Sequence, residues 1–132
     1  MSPMPAPCPL CAAVELHDPL AANDRAVAFF DAFPVSPGHA LIVSRRHVAD
    51  LFDRSAAEQA ALWALLPVVK QALDERHSPG GYNVGVNVGH VAGQTVGHVH
   101  VHVIPRFAGD VPDPRGGVRW VLPEHAAYWD QG

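Results

Sequence analysis

The chain has 132 residues, a sequence pI near 6.1 and a formal charge of −4 from 9 basic and 13 acidic side chains. This length favours one domain, and an apolar fraction of 48% with 17% charged residues excludes wholesale disorder. The slight acidity and the scattered Lys and Arg residues exclude a binder of duplex nucleic acid, and no apolar run approaches the roughly 20 residues of a membrane span. We therefore expect neither nucleic acid nor a membrane as a partner.

The first seven residues are rich in proline and uncharged, so we expect a loose, extended N-terminus over residues 1–7. This segment has neither a basic n-region nor an apolar h-region. No secretory signal peptide is predicted, and the expected location is the cytoplasm. The two cysteines that follow lie only three positions apart, so a disulfide framework cannot hold this fold together.

The next predicted elements are two short strands and one long helix. Apolar runs over residues 26–31 and 39–44 predict the strands, with a turn-rich loop between them. Ser55 and Glu58 have the spacing of a capping box, so a helix should begin there, and apolar residues at helical spacing continue it as far as a Ser-Pro-Gly-Gly run. Pro67 lies inside this helix and should kink it rather than end it.

Two further strands are predicted after the helix. Residues 82–89 alternate valine with small or amide residues, and residues 98–104 alternate histidine with valine. Residues 118–122 predict either a fifth strand or part of an extended C-terminal arm, and we place an irregular arm at 106–132. These elements predict one α+β domain over 1–132, with about five mainly antiparallel strands and one long helix.

The strand with alternating histidines carries the strongest chemical signal. His98, His100 and His102 should lie on one face, roughly 6.6 Å apart, opposite the valines. A solvated polar face would explain one histidine, but three in strict alternation favour a metal site or nucleophilic catalysis by an imidazole nitrogen. At most two neighbours in this row could bind the same ion, which leaves an imidazole for other work.

Cys8 and Cys11 have the C-x-x-C spacing that lets two thiolates reach one metal ion. The alternatives are two small buried residues near a terminus and a redox pair, although the redox pair lacks its usual βαβ context. A zinc site needs two more ligands. The candidates for these two ligands are His47 and the histidine at the start of the histidine strand, but the sequence pattern alone does not establish them.

A glycine-rich loop directly precedes the histidine strand. Glycines such as Gly93 allow backbone N–H groups to approach an anion closely, and Gln94 and Thr95 can donate to phosphate oxygens. Asn87, on the preceding strand, could supply another donor. The position of this loop beside three histidines indicates that it cradles the group that the histidines attack.

The run from His98 to Ile104 resembles the His-φ-His-φ-His-φ-φ signature of the histidine-triad (HIT) superfamily, where φ is an apolar residue. The segments 93–96, 37–43 and 45–47 extend the resemblance over most of the chain between Cys8 and Pro105. The resemblance implies a HIT-like fold, in which an antiparallel sheet carries a long helix and a short N-terminal helix or turn. It also implies a homodimer in which two protomers form one extended sheet.

The activity implied by the resemblance is hydrolysis of dinucleoside polyphosphates, of the diadenosine polyphosphate type, at the α-phosphate with release of AMP. His100 matches the nucleophile that forms a nucleotidyl-histidine intermediate, and His39 and His102 line the same phosphate site. The third histidine favours hydrolysis, since the transferase branch typically carries glutamine there. An adenosine phosphoramidase and a non-catalytic nucleotide-binding module stay open as alternatives.

The same resemblance implies the remaining site residues. Asp31 matches the position that contacts ribose hydroxyls, and the positions near the phosphates are Asn87, Gly93, Gln94, Thr95 and Val96. A structural zinc ion is implied on Cys8, Cys11, His47 and His98. No catalytic metal or organic cofactor is implied, and the expected partner is a small-molecule nucleotide.

Overall fold

The computed structural model describes residues 8–15 and 18–130, so the expectation for residues 1–7 lies outside the described residues. The helices are α1 (Pro9–Val14), α2 (Ala56–Ala64) and α3 (Leu66–His77), and the strands are β1 (Ala21–Ala22), β2 (Ala26–Phe30), β3 (Ala40–Ser44), β4 (Gly81–Val86) and β5 (His100–Arg106). Short 3-10 helices cover Leu51–Asp53, His90–Ala92, Gly117–Val121, Pro123–His125 and Tyr128–Asp130. Within these described ranges, no helix is long and apolar enough to cross a membrane.

The strands of the described chain form one antiparallel sheet in the order β1-β2-β3-β5-β4. The histidine strand, β5, therefore lies between β3 and β4. Its residue His102 is opposite Leu41 on β3 and Gly85 on β4. This central position holds the histidine side chains on a backbone that is hydrogen-bonded on both sides, and the predicted α+β class is confirmed.

Side chains from the inner strands are buried on both faces of the sheet. On one face, residues of β2, β3 and β5 pack against α2 and α3, and this cluster includes Ala26, Ala28, Ala40, Ile42, Val101, Val103, Leu62, Leu65, Val69 and Leu73. On the other face, Val27, Phe29, Leu41 and Val43 pack against Leu10 of α1. Because His100 and His102 alternate with Val101 and Val103, they lie on the α1 face. The short N-terminal helix and the histidines thus share one side of the sheet.

The predicted capping box at the start of α2 is confirmed. The Ser55 hydroxyl accepts from the Glu58 backbone N–H at 3.1 Å, and the Glu58 carboxylate accepts from the Ser55 N–H at 3.3 Å. Two consecutive helices, α2 and α3, replace the one kinked helix that we expected. Leu65 joins them with a right-handed backbone (φ −77°, ψ −18°), and the regular hydrogen bonding is interrupted because Pro67 has no N–H to donate.

Of the two alternatives for residues 118–122, the described structure lacks the strand, and the segment lies in the irregular C-terminal arm. Gly116 and Gly117 adopt positive φ values of 94° and 46°, and Arg119 N–H donates to the Gly116 carbonyl at 2.9 Å. These turns wind the segment into a 3-10 helix. The fifth strand is β1, whose two residues are too few to show any alternation in the sequence.

The histidine strand begins later than expected. Its first residue is His100 rather than His98, because Val99 N–H donates at 2.9 Å to the carbonyl of Val48, which lies beyond the end of β3. His98 therefore stands outside the ladder, at its edge. At the other side of β5, β4 ends one residue before Asn87.

Candidate active site and metal centre

A cavity of about 470 Å³ lies on the α1 face of the sheet, and we call it the first cavity. It brings together seven of the predicted site residues, namely Asp31, Asn87, Gly93, Thr95, Val96, His100 and His102. Its apolar wall includes Leu10, Phe29, Phe30 and Phe33, none of which the sequence pattern singled out. The first cavity therefore combines an apolar wall with histidine, amide and hydroxyl groups on its floor.

The His100 ring is held by one short hydrogen bond to the backbone. Its Nδ1 lies 2.8 Å from the carbonyl oxygen of His98, and a carbonyl oxygen can only accept. Nδ1 must therefore carry the proton, and Nε2 of the neutral ring keeps its lone pair. This tautomer, which follows from the hydrogen-bond partner, is the nucleophilic one for an attack by Nε2.

A second hydrogen-bond chain fixes the proton positions on His39 and His102. The Val35 backbone N–H donates to His39 Nδ1 at 3.1 Å, so neutral His39 carries its proton on Nε2. That Nε2 lies 2.9 Å from Nδ1 of His102, which therefore accepts. The proton of neutral His102 is consequently on Nε2, where it can donate a hydrogen bond.

Both members of this pair are held in the neutral form. Burial lowers the pKa of His39, and the Asp31 carboxylate, 3.5 Å from the ring, opposes this only in part. Burial also lowers the pKa of His102, and the neighbouring His100 and His39 rings act in the same direction. Near neutral pH, this pair donates and accepts hydrogen bonds without a net positive charge.

Asp31 occupies the end of β2 at the margin of the first cavity. Its Oδ1 accepts from the backbone N–H of Phe33 at 2.9 Å, and its Oδ2 faces His39. Asp31, His39 and His102 form one of the two described groups that lie close enough to hold a metal ion. The rings of His39 and His102, however, already bond to each other, with 2.9 Å between Nε2 of His39 and Nδ1 of His102.

Gln94 does not line the first cavity, unlike its neighbours on the glycine-rich loop. Its side-chain amide donates to the carbonyl oxygens of Ala49 at 2.9 Å and Val96 at 3.0 Å, and its Oε1 accepts from Gly89 N–H at 2.9 Å. The expected donation from Gln94 to a phosphate is therefore replaced by a bracing role, since both amide protons are already used. Thr95, in contrast, is exposed at the cavity.

Cys8, Cys11, His47 and His98 form the second close group, and their ligand atoms all lie within 4.8 Å of one another. His98 Nδ1 is 3.6 Å from the Cys8 sulfur and 3.5 Å from the Cys11 sulfur. Tetrahedral zinc with its usual bond lengths sets nitrogen and sulfur ligands about 3.5 Å apart. The four predicted residues therefore have the chemistry and the spacing of a two-sulfur, two-nitrogen metal site.

The tautomer of His98 also suits a metal ligand. Its Nε2 lies 2.7 Å from the Ser44 carbonyl oxygen, so Nε2 donates and Nδ1 presents a lone pair to the two sulfurs. The ring is fully buried, and burial lowers its pKa. Both effects favour the neutral imidazole that a metal requires.

Sequence reasoning missed the group that holds the His47 loop. The Arg54 guanidinium, which is 5% exposed, donates to the carbonyl oxygens of Arg46 at 3.3 Å and Val48 at 2.6 Å, on either side of His47. Glu58 binds Arg46 and Arg54, and the Arg46 hydrogen bonds lower the pKa of its carboxyl to about 2. The capping box indicated Glu58 as a helix cap, but nothing in the sequence linked it to the metal ligands.

The sequence of this chain matches the model of a known protein family. The model of the HIT domain matches residues 17–109 of the chain. The chain belongs to the HIT family. The resemblance that the histidine strand carries is thereby confirmed, and the alternation of His98, His100 and His102 is the family's signature rather than an ordinary polar surface.

Three relatives show what the HIT family includes. An uncharacterised HIT-like protein of Mycoplasma genitalium is 36% identical over 85 residues, which cover 64% of this chain and 60% of that protein. The asymmetrical bis(5'-nucleosyl)-tetraphosphatase of Schizosaccharomyces pombe is 40% identical over 83 residues, covering 63% of this chain and 46% of the enzyme. The AP-4-A phosphorylase of Mycobacterium tuberculosis is 38% identical over 84 residues, which cover 63% of this chain and 43% of that enzyme. The match spans 60% or less of each relative's length.

A solved structure with bound zinc is also similar to this chain. The Zn-bound histidine triad family protein from Mycobacterium smegmatis has a TM-score of 0.68 and 30% identity, covering 86% of this chain and 89% of that chain. The HIT fold of this chain is therefore shown by structure as well as by sequence. This chain has a Cys/His cluster that could bind a metal, and a solved structure of the family has zinc bound.

We predict that Arg54→Met lowers the affinity of the Cys/His cluster for zinc by roughly 10- to 100-fold, because supporting groups around metal ligands typically have effects of this size. Competition with a chromophoric chelator measures the affinity. The matched control is Arg45→Met, which removes an exposed side chain whose one hydrogen bond among the described residues is to the Asn23 carbonyl. Equal zinc affinities for the two folded variants would contradict the positioning role of Arg54.

We predict that His39 lowers the free energy of unfolding as the pH falls below about 6.5. Since burial holds its pKa below the unfolded value of about 6.5, the unfolded chain takes up the proton first as the pH falls. The stability that the neutral, buried ring contributes is fully present above about pH 6.5. It is lost as the pH falls below that value, and the free energy of unfolding then changes by at most about 1.4 kcal/mol per pH unit. Urea unfolding between pH 5 and 8 should show a smaller slope for His39→Gln, but not for the exposed His125→Gln.

Proposed function

We propose that this HIT-family protein is a nucleotide hydrolase that breaks a bond to the α-phosphate of a nucleoside phosphate. The observation that carries this proposal is the 2.8 Å hydrogen bond between His100 Nδ1 and the His98 carbonyl, on the floor of the first cavity. It directs the Nε2 lone pair of a neutral ring at any phosphorus bound there. An imidazole in this state attacks without prior loss of a proton.

The reaction proceeds in two displacements at phosphorus. In the first, a bond forms between His100 Nε2 and the α-phosphorus, and the leaving group departs with the electron pair of the broken bond. The ring then carries a positive charge, which the His98 carbonyl stabilises through Nδ1–H. In the second, water attacks phosphorus, the electron pair of the P–N bond returns to Nε2, and the water proton passes to solvent as the nucleoside monophosphate is released.

His102 and His39 serve this reaction in different ways. His102 lines the first cavity, and its Nε2–H donates a hydrogen bond to the bridging atom or to a phosphate oxygen. His39 is 3% exposed and lies behind His102, so it acts as a positioning residue that fixes the ring and the proton of its neighbour. Thr95 and the loop N–H groups around Gly93 and Val96 meet the charge on the non-bridging oxygens.

The other end of the first cavity fits the nucleoside. Asp31 keeps an acceptor oxygen for ribose hydroxyls, as the family resemblance predicts, and the aromatic wall around Phe29 and Phe33 suits a flat base. Asn87 lines the cavity together with His100 and His102, and we assign it to the phosphate groups. This arrangement accepts one nucleoside monophosphate unit and leaves the rest of the substrate to extend past His102.

Dinucleoside polyphosphates are the first substrate class to consider. A tetraphosphatase and an AP-4-A phosphorylase are among the relatives, and those names support a nucleotide substrate with a polyphosphate bridge. Since the matched segment spans 46% and 43% of those enzymes, their substrates are a proposal for this chain. An adenosine phosphoramidate uses the same intermediate and is the second class.

We infer that the Cys/His cluster holds a structural zinc ion. When bound, zinc would join α1 to the loops that carry His47 and His98, and its role is to hold their geometry rather than to take part in the reaction. Cys8 and Cys11 supply two thiolates from the N-terminal segment. The chain's own contribution is to place His98 so that its ring faces the metal and its carbonyl faces His100.

We predict that His100→Ala lowers AMP release by at least about 10³-fold while nucleotide binding is retained, because the nucleophile is lost and the cavity is not. Purified protein is mixed with diadenosine polyphosphates and an adenosine phosphoramidate, and AMP is followed by chromatography. Alkaline quenching and peptide mass spectrometry should find the nucleotide on His100 of the parent. The exposed His125→Ala is the matched control.

Saturable nucleotide binding without AMP release and without labelled His100 would favour the alternative of a non-catalytic binding module. AMP release that His100→Ala leaves unchanged would overturn the assigned nucleophile. Equal amounts of folded protein, checked by far-UV circular dichroism, are needed for both comparisons. The relative rates on the two substrate types then choose between a polyphosphate hydrolase and a phosphoramidase.

We also propose that two copies pair through β4, which lies at the edge of the described sheet with only β5 beside it. Pairing along this edge would join two sheets into one, because unpaired strand edges present free N–H and C=O groups. Size-exclusion chromatography with light scattering should give twice the chain mass of 14.1 kDa. A monomer mass at micromolar concentration would contradict the dimer.

A further inference from the structure

The short helix α1 contributes to two sites at once. Pro9, Leu10 and Ala13 line the first cavity, in the apolar wall that we assign to the nucleoside. Cys8 immediately precedes the helix and Cys11 lies in its first turn, and both belong to the Cys/His cluster. The two sets of residues alternate along the same short stretch of chain. A chemical change at the sulfurs therefore bears directly on the wall of the first cavity.

Few contacts attach α1 to the rest of the described chain. Its backbone hydrogen bonds in that part of the chain stay within residues 8–15. Leu10 packs against the sheet, and the two sulfurs make the polar contacts, with 3.1 to 3.6 Å between sulfur and a ring nitrogen of His47 or His98. A helix of six residues has little stability of its own. The sulfur contacts therefore help to hold this part of the cavity wall against the sheet.

Other residues hold the imidazole partners of the sulfurs in place. The His98 ring is fully buried, and its Nε2 donates to the Ser44 carbonyl at 2.7 Å. The Arg54 guanidinium binds the loop that carries His47. Nδ1 of His98 is therefore a buried acceptor in a fixed position, and a buried acceptor without a partner is unfavourable. A thiol proton or a metal ion supplied through the cysteines satisfies it.

The two cysteines are also placed to react with each other. C-x-x-C is the spacing of redox-active disulfides, and the ligand atoms of the cluster, including both sulfurs, lie within 4.8 Å of one another. The Cys11 backbone N–H donates to the Cys8 sulfur at 3.4 Å, so this sulfur is turned toward its neighbour. Both thiols are half-buried and accessible to a small oxidant. The chain has two cysteines in all, so each has one possible partner within the same molecule.

We propose that Cys8 and Cys11 are a redox modification site, and that the disulfide between them weakens nucleotide binding in the first cavity. A disulfide has neither a proton to donate nor the negative charge with which a thiolate binds a metal ion. Nδ1 of His98 then loses its partner, and water reaches this buried atom only if α1 moves away from the sheet. The residues of α1 that line the first cavity move with the helix. This inference rests on the proposed function, since it takes the first cavity to bind a nucleoside monophosphate.

The oxidant in this proposal is a hydroperoxide such as hydrogen peroxide. One thiolate attacks an oxygen of the peroxide, the O–O bond breaks, and a sulfenic acid and hydroxide form. The second thiolate attacks the sulfenic sulfur, the S–S bond forms, and a second hydroxide leaves. The two sulfurs lose two electrons, the peroxide gains them, and the two thiol protons convert the hydroxides to water. A zinc ion held by the cluster would lose two of its four ligands.

The test compares the reduced and the oxidised full chain without any substitution. Hydrogen peroxide should lower the intact mass by two hydrogens, and peptide mapping should place the bond between Cys8 and Cys11. Isothermal titration calorimetry should show AMP binding at least roughly tenfold weaker after oxidation, because apolar side chains leave the cavity wall. Dithiothreitol should restore it. Far-UV circular dichroism checks that both forms are folded.

Two further measurements follow the proposed change itself. Hydrogen exchange, measured by mass spectrometry, should become faster in residues 9–14 of the oxidised chain and stay unchanged in β5. Zinc-loaded protein should release its zinc as the disulfide forms, which a chromophoric chelator detects. A disulfide that forms without faster exchange in α1 would overturn the proposed movement of the helix.

The matched variant is Cys8→Ala/Cys11→Ala, which keeps both methionines and all three tryptophans of the chain. Because the sulfur contacts are gone, its AMP binding should already be at least roughly tenfold weaker than that of the reduced parent. Peroxide should not weaken it further. A further loss on peroxide treatment would assign the effect to oxidation elsewhere and would overturn the proposal.

The outcomes separate this inference from the proposed function. If the reduced chain shows His100-dependent AMP release but AMP binds equally well to the reduced and oxidised forms, the redox inference is wrong and the hydrolase stands. The inference is also wrong if peroxide gives no disulfide, or gives only disulfides between chains on a non-reducing gel. If the reduced chain does not bind AMP, the proposed nucleotide site fails and this inference fails with it.

Discussion

The position of His98 connects the Cys/His cluster to His100, the proposed nucleophile. Its ring is buried and donates from Nε2 to the Ser44 carbonyl at 2.7 Å, which turns Nδ1 toward the sulfurs of Cys8 and Cys11. Its own backbone carbonyl receives the Nδ1 proton of His100 at 2.8 Å. A displacement of this one residue would change the metal geometry and the tautomer of the nucleophile together. The Arg54 clamp on both sides of His47 supports the same arrangement from the neighbouring loop.

Burial and hydrogen bonding decide the chemistry of three otherwise identical side chains. His98 faces sulfur and is the candidate ligand, His100 faces a carbonyl and is the proposed nucleophile, and His102 faces another imidazole and is the proposed donor. In each case a fixed acceptor or donor on one ring nitrogen determines what the other nitrogen can do. Burial lowers the pKa of His98 and of His102, which favours the neutral form of these two rings.

Two cavities that share His102 differ in the side chains that line them. The first cavity has Asp31, an aromatic wall and the loop around Thr95, which suit a nucleoside monophosphate. The other, of about 300 Å³, has mostly valine and isoleucine walls, and no Lys or Arg is among the described residues that line it. The relatives named for dinucleoside polyphosphates share the HIT domain, but the domain is only part of those longer proteins.

The sequence by itself determined the α+β class, the capped helix and the family, because these depend on local periodicity and on a short motif within one strand. It also indicated the members of the two histidine clusters. Only the tertiary structure decided which nitrogen of each ring is free, that Gln94 braces its loop, that Arg54 holds the His47 segment, and that Gly117–Val121 is helical. The reason is physical: tautomers, buried ion pairs and cavity walls are set by contacts between residues far apart in the chain, such as His98 with Ser44 and His39 with His102. Such contacts leave no periodic trace in the sequence.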